Sequence, residues 1–407
     1  MVKSSATLTD PFISLSKEFL DNPYPTFARF REEAPVFWSE KGKYWIVSRY
    51  QDANSILRDL HYEKGIQRWK AFNPLIKLVP QLSEQLKFRG KSMLNQDPPD
   101  HTRLRSLVNK AFTPTMVNQM RSHIESIADD LIGQVEKRRE MDLVAEFAFI
   151  LPVTVIAEML GVPPKDRDQF KEWSHHLTAA LEPSPDIPRL MKAAGASQHL
   201  MAYLRPLIEE RRKDPQADLI SALVQAEEEG NKLSPEELVS NLILLLVAGH
   251  ETTVNLIGNG VLALLRNPDQ LDLLKSKPEL LPTAVDEFLR YESPVQFVRR
   301  AAGGDMELAG QHLREDDMLF VLLGSANRDP NQFEHPDTLD ITRTNNKHLA
   351  FGSGIHHCLG SSLAQLEGQI AIGTLLKRLP NLQLKTNRLE YKVPFALRGV
   401  KTMPVTF

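Results

Sequence analysis

The sequence predicts a mainly α-helical fold with a small β component. Three observations support this prediction. Apolar residues recur at helical spacing over residues 116–135, which is typical of an amphipathic helix that faces a core. A capped apolar stretch of about thirty residues follows Ser234 without a strong helix breaker. Segments rich in β-branched and aromatic residues are confined to residues 35–49, residues 306–313 and the tail.

Length and composition indicate one large globular unit. The chain has 407 residues, of which 42% are hydrophobic, so it can bury a large core. No internal repeat, low-complexity tract or Gly/Ser-rich linker divides it. We therefore expect a single domain over residues 1–407, with a helix-rich body and a smaller β-rich lobe. That lobe is expected to come from three segments, at about 30–60, 295–325 and 380–407.

Charge and composition also exclude several classes of protein. Lys and Arg number 49 and Asp and Glu 52, a formal net charge of −3, which gives no electrostatic basis for nucleic acid as the main partner. The N-terminal stretch has no apolar core of signal-peptide length, and the aliphatic run 242–248 is too short to span a bilayer. With Cys358 as its only cysteine, the chain forms no intrachain disulfide. We expect a cytoplasmic monomer without a nucleic-acid or membrane partner.

Local signals place the shorter elements in chain order. Gly42 lies between two runs of aromatic and β-branched residues in segment 35–49, which predicts a β-hairpin. The apolar stripe over 116–135 then predicts a core-facing helix, and a further helix is expected around 284–291. Short β segments return at 306–313 and in the tail.

The longest predicted element is a helix that starts after Ser234. Ser234 and Glu237 form a capping box with Pro235 at the first helical position, and the next strong breaker is Asn267-Pro268. At 1.5 Å per residue, the helix is roughly 45 Å long. It is therefore long enough to cross a whole domain.

The middle of this helix carries a histidine and a glutamate side by side. A zinc metalloprotease helix needs histidines at i and i+4 with glutamate between them. His250 and Glu251 are present, but the position of the second histidine is Val254, which cannot ligate a metal. Gly249 and Thr252 are expected to loosen the helix, because glycine costs about 1 kcal/mol relative to alanine and threonine can bond a carbonyl one turn back. A polar contact between helices is the alternative explanation.

A second segment with chemical character surrounds the only cysteine. Gly352, Gly354 and Gly360 flank Cys358, and the run from Leu359 has the apolar spacing of a helix. A thiolate at a helix N-terminus is stabilised by unpaired N–H groups and the helix dipole, so we expect a lowered thiol pKa. Glycines let the backbone approach a flat ligand closely.

Other kinds of site explain this segment less well. A phosphate-binding loop requires Lys-Ser/Thr after its glycines, and none follows here. A zinc site built from His356, His357 and Cys358 lacks a second Cys/His cluster at ligand spacing. A buried structural cysteine leaves the glycines unexplained.

The cysteine segment resembles the haem-binding signature of the cytochrome P450 family, Phe-x-x-Gly-x-[His/Arg]-x-Cys-x-Gly. The matching residues are Phe351, Gly354, His356, Cys358 and Gly360. Other motifs of that family occur in the expected order along most of the chain. The resemblance therefore covers much more than one loop.

Two of these motifs concern the long helix and the helix that follows it. Glu251 and Thr252 resemble the acid and the alcohol of the family's oxygen-activation motif. Glu287 and Arg290 resemble its Glu-x-x-Arg motif, and Arg343, in a segment similar to the meander, is the implied third member of their network. The resemblance assigns this network to structure and the first pair to catalysis.

The resemblance implies the cytochrome P450 fold, with the long central helix over a haem b group. Cys358 would supply the thiolate ligand of the haem iron. The residues implied to bind the cofactor are His101, Arg105, Arg300, Phe351, Gly352, His356, Cys358, Gly360 and Ala248. The two haem propionates would be neutralised by His101, Arg105, Arg300 and His356. Arg299 remains an alternative to Arg300.

The implied activity is that of a monooxygenase, which inserts one oxygen atom from O2 into an apolar small molecule. Thr252 would hold oxygen while Glu251 relays protons. Two alternatives stay open: a peroxide-dependent or non-oxygenating haem-thiolate enzyme on the same fold, and a non-catalytic haem sensor. The acid–alcohol pair argues against both, because peroxide brings its own protons and a sensor needs no proton relay.

Partners and substrate are also implied by the resemblance. The sequence shows no flavin or iron–sulfur module, so we expect electrons from a ferredoxin-like protein and its NAD(P)H-dependent reductase, as in the bacterial type of the family. Substrate determinants are expected in segments 67–95 and 177–191. The expected pocket residues are Leu244, Val247, Ala248, Val295, Gln296, Phe297 and Phe395. Their mostly apolar character indicates a terpenoid, steroid, fatty acid or polyketide-type substrate.

Overall fold

The computed structural model describes residues 8–65, 87–178, 187–228, 233–393 and 395–407. The chain is 58% helical with 11% strand, which confirms the predicted mainly α fold with a small β component. The α-helices are Pro11–Ser14, Lys17–Asp21, Tyr24–Glu33, Tyr50–Arg58, Asp100–Ala111, Pro114–Gln119, Arg121–Val135, Ile150–Met159, Arg167–Thr178, Ile187–Lys213, Leu219–Glu228, Pro235–Arg266, Pro268–Ser276, Leu281–Tyr291, Leu323–Ala326 and Ser361–Arg378.

The strands are short and form three sheets within the described residues. They are β1 (Val36–Ser39), β2 (Tyr44–Val47), β3 (Tyr62–Glu63), β4 (Glu140–Asp142), β5 (Phe297–Ala302), β6 (Met306–Leu308), β7 (Gln311–Leu313), β8 (Met318–Leu322), β9 (Gln383–Leu384) and β10 (Pro404–Thr406). The main sheet has the order β1-β2-β8-β5-β3. Strands β2 and β8 are parallel and the other pairs antiparallel. The predicted hairpin around Gly42 is β1–β2.

The C-terminal strands do not join the main sheet. Strand β10 pairs with β4, so that Val405 lies opposite Met141, and β9 pairs with the other edge of β10. Sequence analysis grouped segment 380–407 with the β-rich lobe, whereas its strands pack on the helical body. The reason is apolar burial: Met141, Met403 and Val405 belong to the same core cluster as the helices. An isolated bridge between Val295 and Leu397 links the tail to the lobe.

The central helix, Pro235–Arg266, is the longest helix of the described residues. Its predicted capping box is confirmed, because the Ser234 side chain accepts the N–H of Glu237 while the Glu237 carboxylate accepts the N–H of Ser234. Among the described residues, this helix alone is apolar and long enough to cross a membrane. However, 78% of its most apolar window is buried by the rest of the protein. It is therefore the core helix of the fold.

Two other helices pack closely against the C-terminal half of the central helix. A Cβ at Gly260 would lie 2.8 Å from Phe288 of helix Leu281–Tyr291. A Cβ at Gly368, on helix Ser361–Arg378, would lie 3.1 Å from Leu256. Such approaches leave no room for a larger residue. The helix that carries Glu287 and the helix that follows Cys358 are thus both fixed on the central helix.

The structure brings Glu287, Arg290 and Arg343 together in one buried network. The Nε and NH2 groups of Arg290 each donate to Glu287 at 2.8 Å, and Arg343 Nε donates at 3.1 Å. Glu287 also accepts the Asn346 amide and the N–H of Asp340. Arg290 gives its other hydrogen bonds to the carbonyl oxygens of Asn327, Pro336 and Thr338. Glu287 and Arg290 are both 0% exposed, so each charge depends on these partners.

We predict that Arg290→Ala prevents normal folding. The substitution leaves the Glu287 charge and three carbonyl oxygens without their main donor, which costs on the order of 3–5 kcal/mol. The yield of folded protein and its thermal midpoint, followed by circular dichroism, measure the effect. Arg29→Ala is the matched control, because Arg29 pairs with Glu33 on the surface, where such pairs are worth about 0.2–1 kcal/mol. Normal yield from Arg290→Ala would contradict the prediction.

A second buried carboxyl, Glu367, is poorly satisfied. It is 1% exposed on helix Ser361–Arg378, and its Oε2 has no hydrogen-bond partner among the described residues. Burial raises the pKa of Glu367 to about 8, and a hydrogen bond with Thr253 of the central helix opposes the shift only partly. This carboxyl is therefore neutral at neutral pH.

The raised pKa predicts a specific pH dependence of stability. Between about pH 4.5 and pH 8 the folded protein keeps the Glu367 proton that the unfolded chain releases, so this contribution falls as pH rises, by about 1.4 kcal/mol per pH unit. Glu367→Gln retains the shape of the neutral acid and removes the titration. We expect its thermal midpoint to exceed that of the native protein at pH 8.5, with a smaller gap at pH 5.5. A gap that does not change with pH would show that Glu367 is ionised when folded.

Candidate active site

Within residues 238–264 of the central helix, only Leu244, Ala248, Gly249 and Thr252 are not buried. Ala248 is exposed and Leu244 and Thr252 are half-buried, whereas Leu245 and Val247 are buried. A spacing of four residues places Leu244, Ala248 and Thr252 on one face of the helix, as an open stripe. This face therefore borders an open space inside the protein. Val247, an expected pocket residue, instead packs in a core cluster.

The helix is unbroken where sequence analysis expected a weak point. The Thr252 hydroxyl donates to the Ala248 carbonyl oxygen at 2.8 Å, as expected, but the helix runs continuously from Pro235 to Arg266. A Cβ at Gly249 would meet only Ile156, at an ordinary 3.5 Å. The expected loosening is wrong, because the threonine bond is accommodated within the turn and packing does not require the glycine.

Glu251 lies beside the stripe in an ion pair that sequence analysis missed. Lys392 Nζ is 2.6 Å from Glu251 Oε1 and donates to Asn255 Oδ1 at 3.1 Å. No local signal could have identified Lys392, which is 141 residues away along the chain. His250 forms a buried hydrogen bond with Ser174 at 3.0 Å, and its Nε2 lies 3.9 Å from Glu251 Oε2.

The cysteine loop, residues 348–360, is held in shape by backbone geometry. The N–H of Cys358 donates to the Phe351 carbonyl oxygen at 2.8 Å. Gly352 and Gly354 have φ values of 70° and 69°, in the left-handed region that favours glycine. A Cβ at Gly354 would also collide with the carbonyl oxygen of Leu57. Gly360 differs, since its Cβ would meet nothing within 4 Å and would point into open space.

The thiol of Cys358 does not titrate as sequence analysis expected. Helix Ser361–Arg378 starts just after Gly360, as predicted. Nevertheless, burial raises the pKa of the Cys358 thiol, and the N–H of Gly360 and the charge of Arg105 oppose that rise without reversing it. The predicted lowering is wrong for the protein alone, because desolvation outweighs the favourable field at the helix end. A bound metal ion would itself stabilise the thiolate.

Cationic and imidazole groups form a cluster near the loop. The rings of His101 and His356 are 4.2 Å apart, and both ring nitrogens of His101 and Nε2 of His356 have no hydrogen-bond partner among the described residues. Burial and the charges of Lys64, Arg300 and Arg105 depress the pKa of His356. Burial lowers the pKa of Arg300 to about 10. Sequence analysis missed Lys64, which has no motif around it.

Among the carboxylic acids that the structure describes, Asp97 is the one that acts on this cluster, at Lys64, His101 and Arg300. Its oxygens, however, already accept the N–H groups of Lys64 and Gly65 at 2.8 and 2.7 Å. Buried cations and unpartnered nitrogens are unfavourable unless an anion joins them. The arrangement therefore fits a ligand with carboxylate groups.

The structure also distinguishes the two arginines that the sequence left open. Arg300 is 3% exposed on β5, and its charge depresses the pKa of both His101 and His356. Arg105, the other predicted arginine, donates to the His357 carbonyl oxygen at 2.8 Å and so joins the cluster to the cysteine loop. Arg300, rather than Arg299, is the residue turned towards the histidines.

The remaining predicted substrate residues are used in packing or lie outside the described residues. Gln296 is 0% exposed and donates to the Ser293 carbonyl oxygen. Phe297 stacks on Phe320, with ring centres 4.9 Å apart, and Phe395 packs against Phe19 at 4.7 Å. Val295 is half-buried in its bridge to Leu397. Of the two expected segments, residues 67–86 and 179–186 lie outside the described residues.

These features together define a haem-thiolate protein. Cys358 follows a loop whose backbone requires glycine, and Gly360 leaves room for a planar group. The nearby cation cluster can bind carboxylates. The family model described as Cytochrome P450 matches residues 37–389. The chain belongs to the cytochrome P450 family and is a monooxygenase of that family. Its cofactor is haem with a cysteine thiolate ligand, and Cys358 is the only cysteine of the chain.

Relatives match the chain over nearly its whole length. It is 42% identical to the polyketide biosynthesis cytochrome P450 PksS of Bacillus subtilis (strain 168), covering 96% of this chain and 97% of that protein. It is 41% identical to the vitamin D(3) 25-hydroxylase of Pseudonocardia autotrophica, covering 99% and 98%. Among solved structures, P450BioI in complex with hexadec-9Z-enoic acid ligated acyl carrier protein matches with a TM-score of 0.90 and 41% identity, covering 96% and 100%.

We predict that Cys358→Ser abolishes the long-wavelength Soret band of the dithionite-reduced, carbon monoxide-treated protein. A neutral hydroxyl is a poor electron donor to iron, so the band should be lost even if haem is retained. His357→Ala, an exposed position in the same loop, should keep the band. A native spectrum typical of histidine ligation would contradict the assignment of Cys358.

Proposed function

We propose that this protein oxidises an apolar, lipid-like small molecule with electrons from a ferredoxin-like protein and its NAD(P)H-dependent reductase. The overall reaction uses O2, two electrons and two protons, and gives one hydroxylated product and one water. The observation that carries the proposal is the position of Thr252 on the open stripe, next to the ion-paired Glu251. We also propose that it acts as a single-domain, cytoplasmic monomer.

The cation cluster would hold the haem propionates. His101, Arg105, Arg300 and His356 are the predicted residues, and Lys64 is added by the structure. Their charges and unpartnered ring nitrogens support this role, because carboxylates accept such donors in charge-assisted hydrogen bonds. Phe351, Gly352 and Gly360 would lie against the haem on the Cys358 side and Ala248 on the other. When bound, haem supplies the iron centre at which O2 is activated.

The residues of the central helix would handle the protons. The Thr252 hydroxyl donates to the Ala248 carbonyl oxygen at 2.8 Å. If this hydroxyl rotated, it would donate instead to an oxygen atom in the open space. Glu251 is the adjacent acid and can exchange protons through groups that reach solvent. Positioned proton transfer of this kind contributes about 10²- to 10⁴-fold to rates.

The open stripe supports an apolar substrate. Its side chains are Leu244, Ala248 and Thr252, which offer hydrocarbon and one hydroxyl. The names of these relatives refer to polyketide biosynthesis, vitamin D(3) and a hexadecenoic acyl chain. Long-chain fatty acids, steroids and polyketide-type molecules are therefore the first compounds to screen, by the shift that binding causes in the haem absorption spectrum; terpenoids follow.

We predict that Thr252→Ala uncouples the reaction. Without the hydroxyl, protons reach the reduced oxygen in the wrong place and it leaves as hydrogen peroxide instead of supplying product and water. Product formation should fall roughly 10²-fold, while NAD(P)H consumption falls much less. Assays with an added reductase system should measure NAD(P)H, product and peroxide in parallel.

The controls separate the two residues of the pair. Thr253→Ala, the same change at a buried neighbour, should stay coupled. Glu251→Gln should slow oxygen consumption itself, because the proton supply is reduced. Unchanged coupling in Thr252→Ala would mean that this threonine only packs the helix, and the proposed proton role would fall.

A further inference from the structure

The central helix has a second polar face besides the open stripe. Glu251, Asn255 and Asn259 recur at intervals of four residues and are 6%, 2% and 1% exposed. A spacing of four places them in one row. Such polar groups are rare inside a core helix unless they are paired. We therefore looked for the groups that pair with these buried polar side chains.

The C-terminal segment, residues 391–393 and 395–400, lies along this row. Lys392 Nζ contacts Glu251 at 2.6 Å and Asn255 at 3.1 Å. The Asn259 amide donates to the Arg398 carbonyl oxygen at 3.0 Å. A Cβ at Gly399 would collide with Asn255 Oδ1, so a larger residue would displace the Asn255 side chain. The segment is thus held against the face that carries the catalytic acid.

The two ends of the ion pair differ in their access to solvent. The Lys392 side chain is 24% exposed, whereas the Glu251 side chain is 8% exposed. A carboxylate at this depth needs a nearby positive charge to remain ionised. Lys392 supplies that charge and also links Glu251 to water.

The same segment is attached to the β-rich lobe. Leu397 forms a bridge with Val295, and the N–H of Gln296 donates to the Ala396 carbonyl oxygen at 2.9 Å. The N–H of Lys392 donates to the Gly399 carbonyl oxygen at 2.8 Å and closes the segment on itself. Lys392 is therefore presented from a fixed backbone rather than from a loose tail, which is what a positioning group requires.

We propose that Lys392 is a positioning residue for proton delivery, which holds the Glu251 carboxylate at the solvent end of the route to Thr252. This inference rests on the proposed function and names a residue that neither the motif nor the family match assigns. Proton transfer depends on heavy-atom distances of about 2.6–3.2 Å. A carboxylate released from Lys392 would lose that fixed geometry.

The test compares Lys392→Met with Lys392→Arg in holoprotein. Lys392→Met should reduce substrate-dependent oxygen consumption roughly 10- to 100-fold, as misplaced catalytic groups do, and increase the kinetic solvent isotope effect. Lys392→Arg keeps the charge and should restore most of the rate. Substrate affinity should remain unchanged in both. Lys401→Met is the matched control, because Lys401 pairs with Glu390 on the surface nearby.

A double variant shows whether Lys392 acts through Glu251. If it does, Glu251→Gln with Lys392→Met should be no slower than Glu251→Gln alone. Hydrogen–deuterium exchange of the C-terminal segment, measured without turnover, should show that the segment stays docked in Lys392→Met. If the segment detaches in Lys392→Met, the same assays are made with Lys392→Gln, because glutamine retains a hydrogen-bond donor for Asn255.

The outcomes separate this inference from the proposed function. If Glu251→Gln is slow, either of two results would overturn this inference and leave the proposed function intact. The first is a normal rate and isotope effect in Lys392→Met. The second is a double variant that is slower than Glu251→Gln by the full loss of rate seen in Lys392→Met. A normal rate in Glu251→Gln would overturn the proton route of the proposed function and Lys392 with it.

Discussion

The buried carboxylate of Glu287 is the constraint on which the position of the cysteine depends. It accepts five hydrogen bonds, and its main partner, Arg290, spreads its own donors over three carbonyl oxygens in residues 327–338. Asn327, one of those residues, also accepts the N–H of Leu349, where the cysteine loop begins. Because breaking one of these contacts would leave a buried charge without its partner, they hold residues 327–338 against helix Leu281–Tyr291. These contacts fix the N-terminal end of the cysteine loop. Its C-terminal end is fixed by helix Ser361–Arg378, whose Gly368 packs on Leu256 of the central helix.

The central helix has two distinct rows of residues, one open and mostly apolar and the other buried and polar. Leu244, Ala248 and Thr252 form the open stripe, and Glu251, Asn255 and Asn259 form the row under the C-terminal segment. Adjacent residues on a helix are about 100° apart, so Glu251 and Thr252 are neighbours that point in different directions. One helix can therefore face the substrate space with an alcohol and connect the neighbouring acid to solvent. The apolar remainder of its surface holds both rows in place.

Local patterns in the sequence predicted what depends on a few adjacent residues. The hairpin at Gly42, the capping box at Ser234 and the glycine-flanked cysteine are local features, and the structure contains all three. Contacts between distant segments gave no such signal. Lys64 and Lys392 come close to their clusters only when the chain folds. Strand β10 pairs with β4 because this pairing buries apolar residues against the helical body. The local helix end predicted a lowered pKa for the Cys358 thiol. Burial, a property of the whole fold, raises that pKa instead.

The ion pair of Glu251 and the cation cluster near the cysteine loop are built from different residues. Burial and the charges of Lys64, Arg105 and Arg300 lower the pKa values of His101 and His356, and Asp97 opposes the shift at His101. Glu251 and Lys392 pair with each other instead. Groups that share no partners contribute to free energies nearly additively. Proton delivery and cofactor retention can therefore change independently, so a substitution in the Glu251 row should alter turnover without releasing haem. One in the cation cluster should weaken haem binding first. On the proposed function, different residues of one site would hold the haem propionates and deliver protons.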